Sequence, residues 1–284
     1  MIKFSTEQEY SASQEIPMIN NSANIKDFVR EKYGERARQV TQLTVLTNIS
    51  EAASCADGTC ETNLDTSFGA FSNLYARAEL EGLPLEAIAS SAGCGNPTAL
   101  AGLKNGERVL DLGSGGGIDC FLAARQVGQN GHVTGLDMTA DMIMLAQKNA
   151  ASLGVTNVDF IQAEMEEIPL PDASIDVVIS NCVVCLSPDK DAVARESFRI
   201  LSPGGRLHIS DMMSLGEVPE TLRNDPEKWS ACVTGAEDRD AYLSRLGNAG
   251  FTNISIEEEE GTARIYDLSA PAVISVKVVA FKPN

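Results

Sequence analysis

Histidine is almost missing from this chain: His132 and His208 are the only two in 284 residues. A metal centre built on imidazoles is thereby excluded, and acid–base chemistry resting on histidine has few candidates. Basic residues are scarce as well. With 22 Lys and Arg against 40 Asp and Glu, the net charge is −18. Such a surface repels nucleic-acid phosphates, anionic membranes and acidic substrates, whereas neutral and cationic substrates meet no barrier. No apolar run approaches the roughly 18–20 residues of a spanning helix. Residues 1–24 hold a single lysine, no hydrophobic stretch, and many Ser, Gln, Asn and Glu. They are expected to form a poorly ordered tail rather than a secretory signal, and the chain is expected to be cytoplasmic.

In that compartment the seven cysteines (Cys55, Cys60, Cys94, Cys120, Cys182, Cys185 and Cys232) do not form a disulfide scaffold. Their number is odd, and no two C-x-x-C knuckles pair into a zinc pattern. Soft thiolate chemistry has several candidates where imidazole chemistry has almost none.

The hydrophobic pattern divides the chain. Apolar residues from Ile25 to Val45 recur at helical spacing. A small-residue loop spans 48–72, a short helix follows Pro84, and the Gly93-Cys94-Gly95-Asn96-Pro97 loop allows no regular structure. Thereafter strands are expected near 107–112, 132–137, 157–161, 174–180, 204–211, 252–258 and 272–281. Helices are expected near 117–128, 139–153, 189–201 and 238–249. Nothing helical separates the last two strands, so they read as an antiparallel hairpin at the sheet edge. The domains predicted are the tail 1–24, an N-terminal helix and cysteine-loop region 25–97, and an α/β domain 98–284 with an insertion at 212–237.

The most informative stretch is Val109-Leu110-Asp111-Leu112-Gly113-Ser114-Gly115-Gly116-Gly117, followed by a second strand ending at Asp137. A strand, a glycine turn, a helix and an acid-tipped strand form a nucleoside-binding unit, in which the acid takes the ribose hydroxyls. The third glycine of G-x-G-x-x-G is replaced by Ile118, which weakens the case for a pyrophosphate or a nicotinamide enzyme. Asp111 would repel a pyrophosphate but suits a cationic ammonium or sulfonium, and S-adenosylmethionine carries both. Glu164 and Met165, leaving the third strand, are placed at the adenine. The candidate cofactor residues are Asp111, Gly113, Ser114, Gly115, Asp137, Met138, Glu164, Met165 and Asn181.

Ligands of such sheets sit beyond the carboxyl ends of the strands, and Cys182 follows the fourth strand directly. Cys94 lies in a glycine loop leading into the domain, and Cys232 lies in the insertion. Three thiolates converging from separate segments would form a pyramidal soft site suited to a trivalent metalloid. Cys120 reads as a small core hydrophobe, His132 as surface and His208 as packed in the sheet. Trp229 either shields the thiols or packs in the core.

Asp111-Leu-Gly-Ser-Gly resembles the first motif of the class I S-adenosylmethionine-dependent methyltransferases, and Leu201-Ser-Pro-Gly-Gly resembles their strand-five motif, over residues 98–282. Gly93-Cys94-Gly95-Asn96-Pro97, Ser180-Asn181-Cys182-Val183 with Leu186-Ser187-Pro188-Asp189-Lys190, and Cys232-Val233-Thr234-Gly235-Ala236 resemble the arsenite methyltransferase family. The resemblance implies a doubly wound, Rossmann-like, seven-stranded α/β sheet and methylation of arsenite and methylarsenite as thiol conjugates. It also implies As(III) on Cys94, Cys182 and Cys232, and a further N-terminal cysteine in a disulfide relay reset by glutathione or thioredoxin. Cys55 and Cys60 both fall in the matching segment, with Cys60 favoured. Cys185 departs from the family pattern and is open to three roles: replacing or assisting a ligand, pairing with Cys182, or none. A monomer is expected, with 48–72 and 212–237 as lids. The alternative is a small-molecule C- or O-methyltransferase in which the cysteines are incidental, or a sequestration protein using thiols alone.

Overall fold

A computed structural model describes residues 22–51, 75–259, 264–265 and 271–284. The N-terminal part is helical: α1 (Ser22–Glu51), α2 (Arg77–Leu80), α3 (Leu85–Ser90) and α4 (Pro97–Ala101). The α/β part begins with β1 (Arg108–Leu112), α5 (Ile118–Val127), β2 (His132–Asp137), α6 (Ala140–Leu153), β3 (Val158–Gln162) and β4 (Ile175–Asn181). After a 3₁₀ turn at Val184–Leu186 come α7 (Lys190–Ile200) and β5 (Leu201–Ser214). Two short helices follow, α8 (Glu220–Arg223) and α9 (Pro226–Ser230), and then α10 (Arg239–Ala249). The chain closes with β6 (Thr252–Glu258), β7 (Arg264–Ile265) and β8 (Val273–Phe281).

The strands lie in the order β3-β2-β1-β4-β5-β8-β6, and the two-residue β7 pairs with β8. Strands β1 to β5 run parallel, while β8 is antiparallel to both β5 and β6. The expected antiparallel pairing of the last two long strands at the sheet edge holds, with β8 lying between β5 and β6. The parallel strands are buried on both faces and so are rich in Val, Ile and Leu, with side chains alternating between two cores. Leu110, Leu112, Val178, Leu207 and Ile209 pack towards α7 and α10. Val109, Val177 and Ile179 pack towards α5, against Phe121 and Val127.

Helix ends are fixed by local chemistry. Asp189 accepts from the Ala192 N–H and Asp238 from the Ala241 N–H, capping α7 and α10. Gly154 and Gly250 end α6 and α10 in left-handed conformation. Helix α1 lies beside α3, α6 and α9 and buries Ile25, Val29, Ala37 and Val40 on one stripe. Arg36 of α1 donates to the Ser91 carbonyl at 2.6 Å, and Lys26 pairs with Glu164 at 2.6 Å. Helix α1 is thus tied across the carboxyl ends of the strands. Between β1 and β4 the strand order reverses, and such a switch point opens a crevice for a ligand.

Candidate active site

A cleft open to solvent occupies that crevice. Its floor is the turn after β1. The N–H groups of Gly113 and Ser114 donate to the Leu136 carbonyl at 2.7 and 3.0 Å, which folds the turn onto β2. Gly113 adopts φ +68, and a side chain there would overlap Val183. The Asp137 carboxylate accepts from the Gly115 N–H at 3.0 Å and the Thr139 N–H at 2.8 Å. The Thr139 hydroxyl bonds it as well, so of a carboxylate's roughly four lone-pair positions about one remains for a ligand hydroxyl. The Ser114 hydroxyl is buried without a partner, beside Gly135 of β2. Burial holds the Asp137 carboxyl above its ordinary value.

Seven of the nine residues expected at the cofactor line this cleft: Gly113, Ser114, Gly115, Asp137, Met138, Met165 and Asn181. Two sit elsewhere. Asp111 lies behind the turn, 2% exposed, with the Cys120 thiol 3.3 Å from its carboxylate. The cause is strand parity: Leu110 and Leu112 point to one core, so Asp111 between them points to the other, towards α5. Glu164 is engaged by Lys26 at 2.6 Å and Arg30 at 3.1 Å, while Glu166 lines the cleft.

The acid that does reach the cleft from the glycine turn is Asp119, in the first turn of α5. Its carboxylate accepts from the Tyr75 hydroxyl at 3.0 Å and the Asn181 amide at 3.1 Å. Burial raises its carboxyl to about 6. Sequence reading missed it, although an acid opening the helix after a glycine turn was a usable signal.

Asn181, which ends β4, connects the cleft to the thiols. Its carbonyl oxygen accepts from the N–H of Cys94 at 2.9 Å and of Gly95 at 3.2 Å. Its amide donates to the Gly95 carbonyl at 2.8 Å. A side chain on Gly93 would overlap this amide, which is why the loop needs glycine there. Ser275 of β8 donates to the Cys94 carbonyl at 2.9 Å and secures the loop from the other side. The next residue, Cys182, lines the cleft with its N–H bonded to the Ser210 carbonyl at 2.7 Å.

Among the described residues only four non-glycines have positive φ, and two are Cys182 (+59) and Cys232 (+61). A left-handed residue other than glycine costs about 1–2 kcal/mol, and such strain concentrates at functional sites. Here it aims two thiols at one point. The sulfurs of Cys182, Cys185 and Cys232 all lie within 4.8 Å of one another, and all three residues are buried and free. Cys94 stands outside this three-way group, with its thiol in hydrogen-bonding contact with Cys182. Of the expected trio, Cys182 and Cys232 are brought together, with Cys185 as the third sulfur of the group and Cys94 touching it at Cys182. Cys55 and Cys60 lie outside the described residues. Cys120 is buried in the α5 core, as expected for a small hydrophobe.

The thiols share protons unequally. Hydrogen bonds from Cys182 and Cys185 push the Cys232 thiol from an ordinary 9.0 down to about 6. Hydrogen bonding to Cys185, Cys232 and Cys94 raises Cys182, and burial raises Cys185 and Cys94. The cluster thus carries a thiolate on Cys232 at neutral pH, and the thiolate is the reactive form. That charge is present above about pH 6 and is lost as pH falls through it. The ultraviolet thiolate band of the apo protein should therefore titrate with a midpoint near pH 6 and vanish in Cys232→Ser. A midpoint unchanged by that substitution would place the charge on another cysteine.

Around the thiols, Trp229 packs in the same apolar cluster and donates its indole N–H to the Leu186 carbonyl at 2.9 Å. Of the two readings of this residue, packing in the core is the one its contacts show. His132 is half exposed and pairs with Asp159. His208 is buried in β5, and desolvation with Arg206 nearby pushes it down to about 4. Neither histidine lines the cleft.

The segment that holds the glycine turn and the cleft is a methyltransferase domain: the family model described as "Methyltransferase domain" matches residues 103–260. The chain is 44% identical over 197 residues to the arsenite methyltransferase of Halobacterium salinarum, covering 67% of this chain and 50% of that protein. It is 40% identical over 137 residues to the human arsenite methyltransferase, covering 45% and 36%. The crystal structure of CrArsM, an arsenic(III) S-adenosylmethionine methyltransferase from Chlamydomonas reinhardtii, superposes with a TM-score of 0.64 at 37% identity over 73% of each chain. Within the methyltransferases, the chain belongs to the arsenite methyltransferase family. It spans about half the length of the curated relatives it matches. No helix among the described residues is long and apolar enough to cross a membrane.

Proposed function

We propose that this chain methylates trivalent arsenic, presented as arsenite or methylarsenite thiol conjugates, with S-adenosylmethionine as donor. One observation carries the reading: Cys182 lines the nucleoside-type cleft and is at the same time the hub of the thiol cluster. No other arrangement in the described residues joins a one-carbon donor site to a set of soft ligands.

The residues of the cleft suit the donor. Asp137 lies in the cleft to take the ribose hydroxyls, the glycine turn lies beside it for the amino-acid end, and Met138 and Met165 provide apolar walls. Asp119 takes the part first expected of Asp111, giving a carboxylate near the cationic end. S-adenosylmethionine, when bound, supplies a sulfonium methyl whose S–C electron pair returns to sulfur as the arsenic lone pair forms the As–C bond. A lone pair carries no proton, so the protein needs no general base, in keeping with two histidines remote from the cleft.

The work of the chain is then alignment. Cys94, Cys182 and Cys232 hold arsenic while the glycine turn and Asp137 hold the donor. Fixing two reactants about 3–3.5 Å apart in line can lower a barrier by roughly 7–11 kcal/mol. Helix α1, with Val29 and Tyr33 over the cleft, limits water at the reacting atoms. Arsenic leaves the transfer pentavalent. Its return to As(III) requires two thiolates to join as a disulfide and leave their electron pair on arsenic. Cys60 or Cys55 supplies the second sulfur, and an external thiol, glutathione or thioredoxin, reduces that disulfide by exchange.

Incubation of the chain with arsenite, a thiol and S-adenosylmethionine, followed by mass spectrometry of the arsenicals, should give methylated arsenic and S-adenosylhomocysteine in step. Donor consumption without any methylarsenical would overturn the assignment and leave a methyltransferase of another substrate.

A further inference from the structure

The family resemblance assigns three thiols to arsenic, yet four meet here. Cys185 owes its position to two features. The 3₁₀ turn, closed by the Leu186 N–H on the Val183 carbonyl at 3.0 Å, brings it back beside Cys182. The Asp211 carboxylate on β5 then accepts its N–H at 3.0 Å and pins the turn to the sheet. The Cys232 segment is clamped onto the same turn. Its thiol reaches the Cys182 carbonyl at 3.5 Å, the Trp229 indole bonds Leu186, and a side chain on Gly235 would collide with the Cys185 carbonyl. Cys182, Cys185 and Cys232 therefore come from only two segments that are already locked together. Cys94 is brought by a third.

We propose that Cys182, Cys185 and Cys232 form an inner three-thiolate site that holds trivalent arsenic without Cys94. The cluster then offers two overlapping ligand sets, sharing Cys182 and Cys232 and differing in the third sulfur. This rests on the arsenic-methylating reading above and adds to it a ligand that the reading does not require. The binding step is an exchange without redox change. Each As–S bond that forms releases one hydroxide from arsenite, which leaves as water with the proton of the Cys182 or Cys185 thiol or, at the Cys232 thiolate, a proton from solvent, so two thiols, one thiolate, one proton and As(OH)₃ give the trithiolate and three waters. Because its ligands are preorganised on joined segments, the inner set orders little on binding. Three thiolates of this kind prefer soft trivalent ions over the hard divalent ones.

The test uses the reduced full chain with Cys55 and Cys60 changed to Ser, so that those thiols add no sulfur. Arsenite is the probe, read by arsenic retained per chain after desalting and by As–S coordination number from X-ray absorption. Cys94→Ser should keep one arsenic on three sulfurs, and so should Cys185→Ser, which falls back on Cys94. Cys94→Ser/Cys185→Ser should drop to two sulfurs and weaken binding by about 100-fold or more, some 2.8 kcal/mol at 1.4 kcal/mol per decade. S-adenosylmethionine affinity, unchanged across the series, reports that the variants are folded. If Cys94→Ser alone behaves as the double variant while the Cys94-intact chain binds three-coordinate arsenic, the inner site is wrong and the functional reading stands. If the Cys94-intact chain retains no arsenic, both are overturned.

Discussion

Cys182→Ser should abolish arsenite methylation, by at least about 10³-fold or ~4 kcal/mol of transition-state stabilisation, while S-adenosylmethionine still binds within a few-fold. The expectation follows from position. Cys182 contacts the thiols of Cys94, Cys185 and Cys232 and belongs to both proposed ligand sets, the one completed by Cys94 and the one completed by Cys185. It is also the cysteine that lines the cofactor cleft. Serine has nearly the same size and keeps the N–H bond to the Ser210 carbonyl, so packing and the strained backbone survive. What is lost is softness: an alcohol oxygen is a poor ligand for a metalloid that prefers sulfur. Cys94→Ser and Cys185→Ser, each leaving three sulfurs, should cost far less. Methylarsenical formation followed by mass spectrometry, with calorimetry for the donor, separates these outcomes. Turnover within tenfold of the parent would remove Cys182 from the arsenic.

Much of this arrangement could be read from local residues. His132–Asp137 was placed to the residue because Val133 and Leu136 lie between a glycine turn and a helix cap, both local signals. Cys182 was placed at the mouth because the end of a parallel strand fixes which side of the sheet a following residue occupies. The misplacements have two causes, strand parity for Asp111 and partners distant in sequence for the others. Asp111 was assigned to the cofactor on charge, but strand parity turns it towards Cys120. The Tyr75–Asp119–Asn181 network joins residues 44 to 106 positions apart, beyond any local pattern. Cys185 enters the cluster because Asp211, 26 residues later, holds its N–H, and no spacing rule anticipates that contact. Adjacency in sequence likewise could not reveal that β8 passes inside β6, since both orders satisfy the same antiparallel alternation.

Asp137→Ala should raise the dissociation constant for S-adenosylmethionine by about 10²- to 10³-fold, roughly 3–4 kcal/mol, and leave arsenite binding untouched. The carboxylate does two jobs. Towards the ligand it offers the lone pair not taken by Gly115 and Thr139, and a hydrogen bond to a charged acceptor is worth about 1.5–3 kcal/mol. Towards the protein it satisfies two backbone N–H groups, one in the glycine turn and one at the start of α6, which alanine would leave open. Asp137→Asn separates the two. It keeps an acceptor for one N–H but loses the charge and one oxygen, so its affinity should fall between the parent and the alanine variant. Burial raises the Asp137 carboxyl, so in the parent, affinity should decline as acid protonates it. The alanine variant should lack that part of the pH dependence. Because the donor and the arsenic are held by different side chains, saturating donor should restore part of the methylation rate in Asp137→Ala, whereas nothing should restore it in Cys182→Ser. An unchanged dissociation constant in Asp137→Ala would move the ribose off β2 altogether, with Asp119 as the next acid in the cleft to hold it.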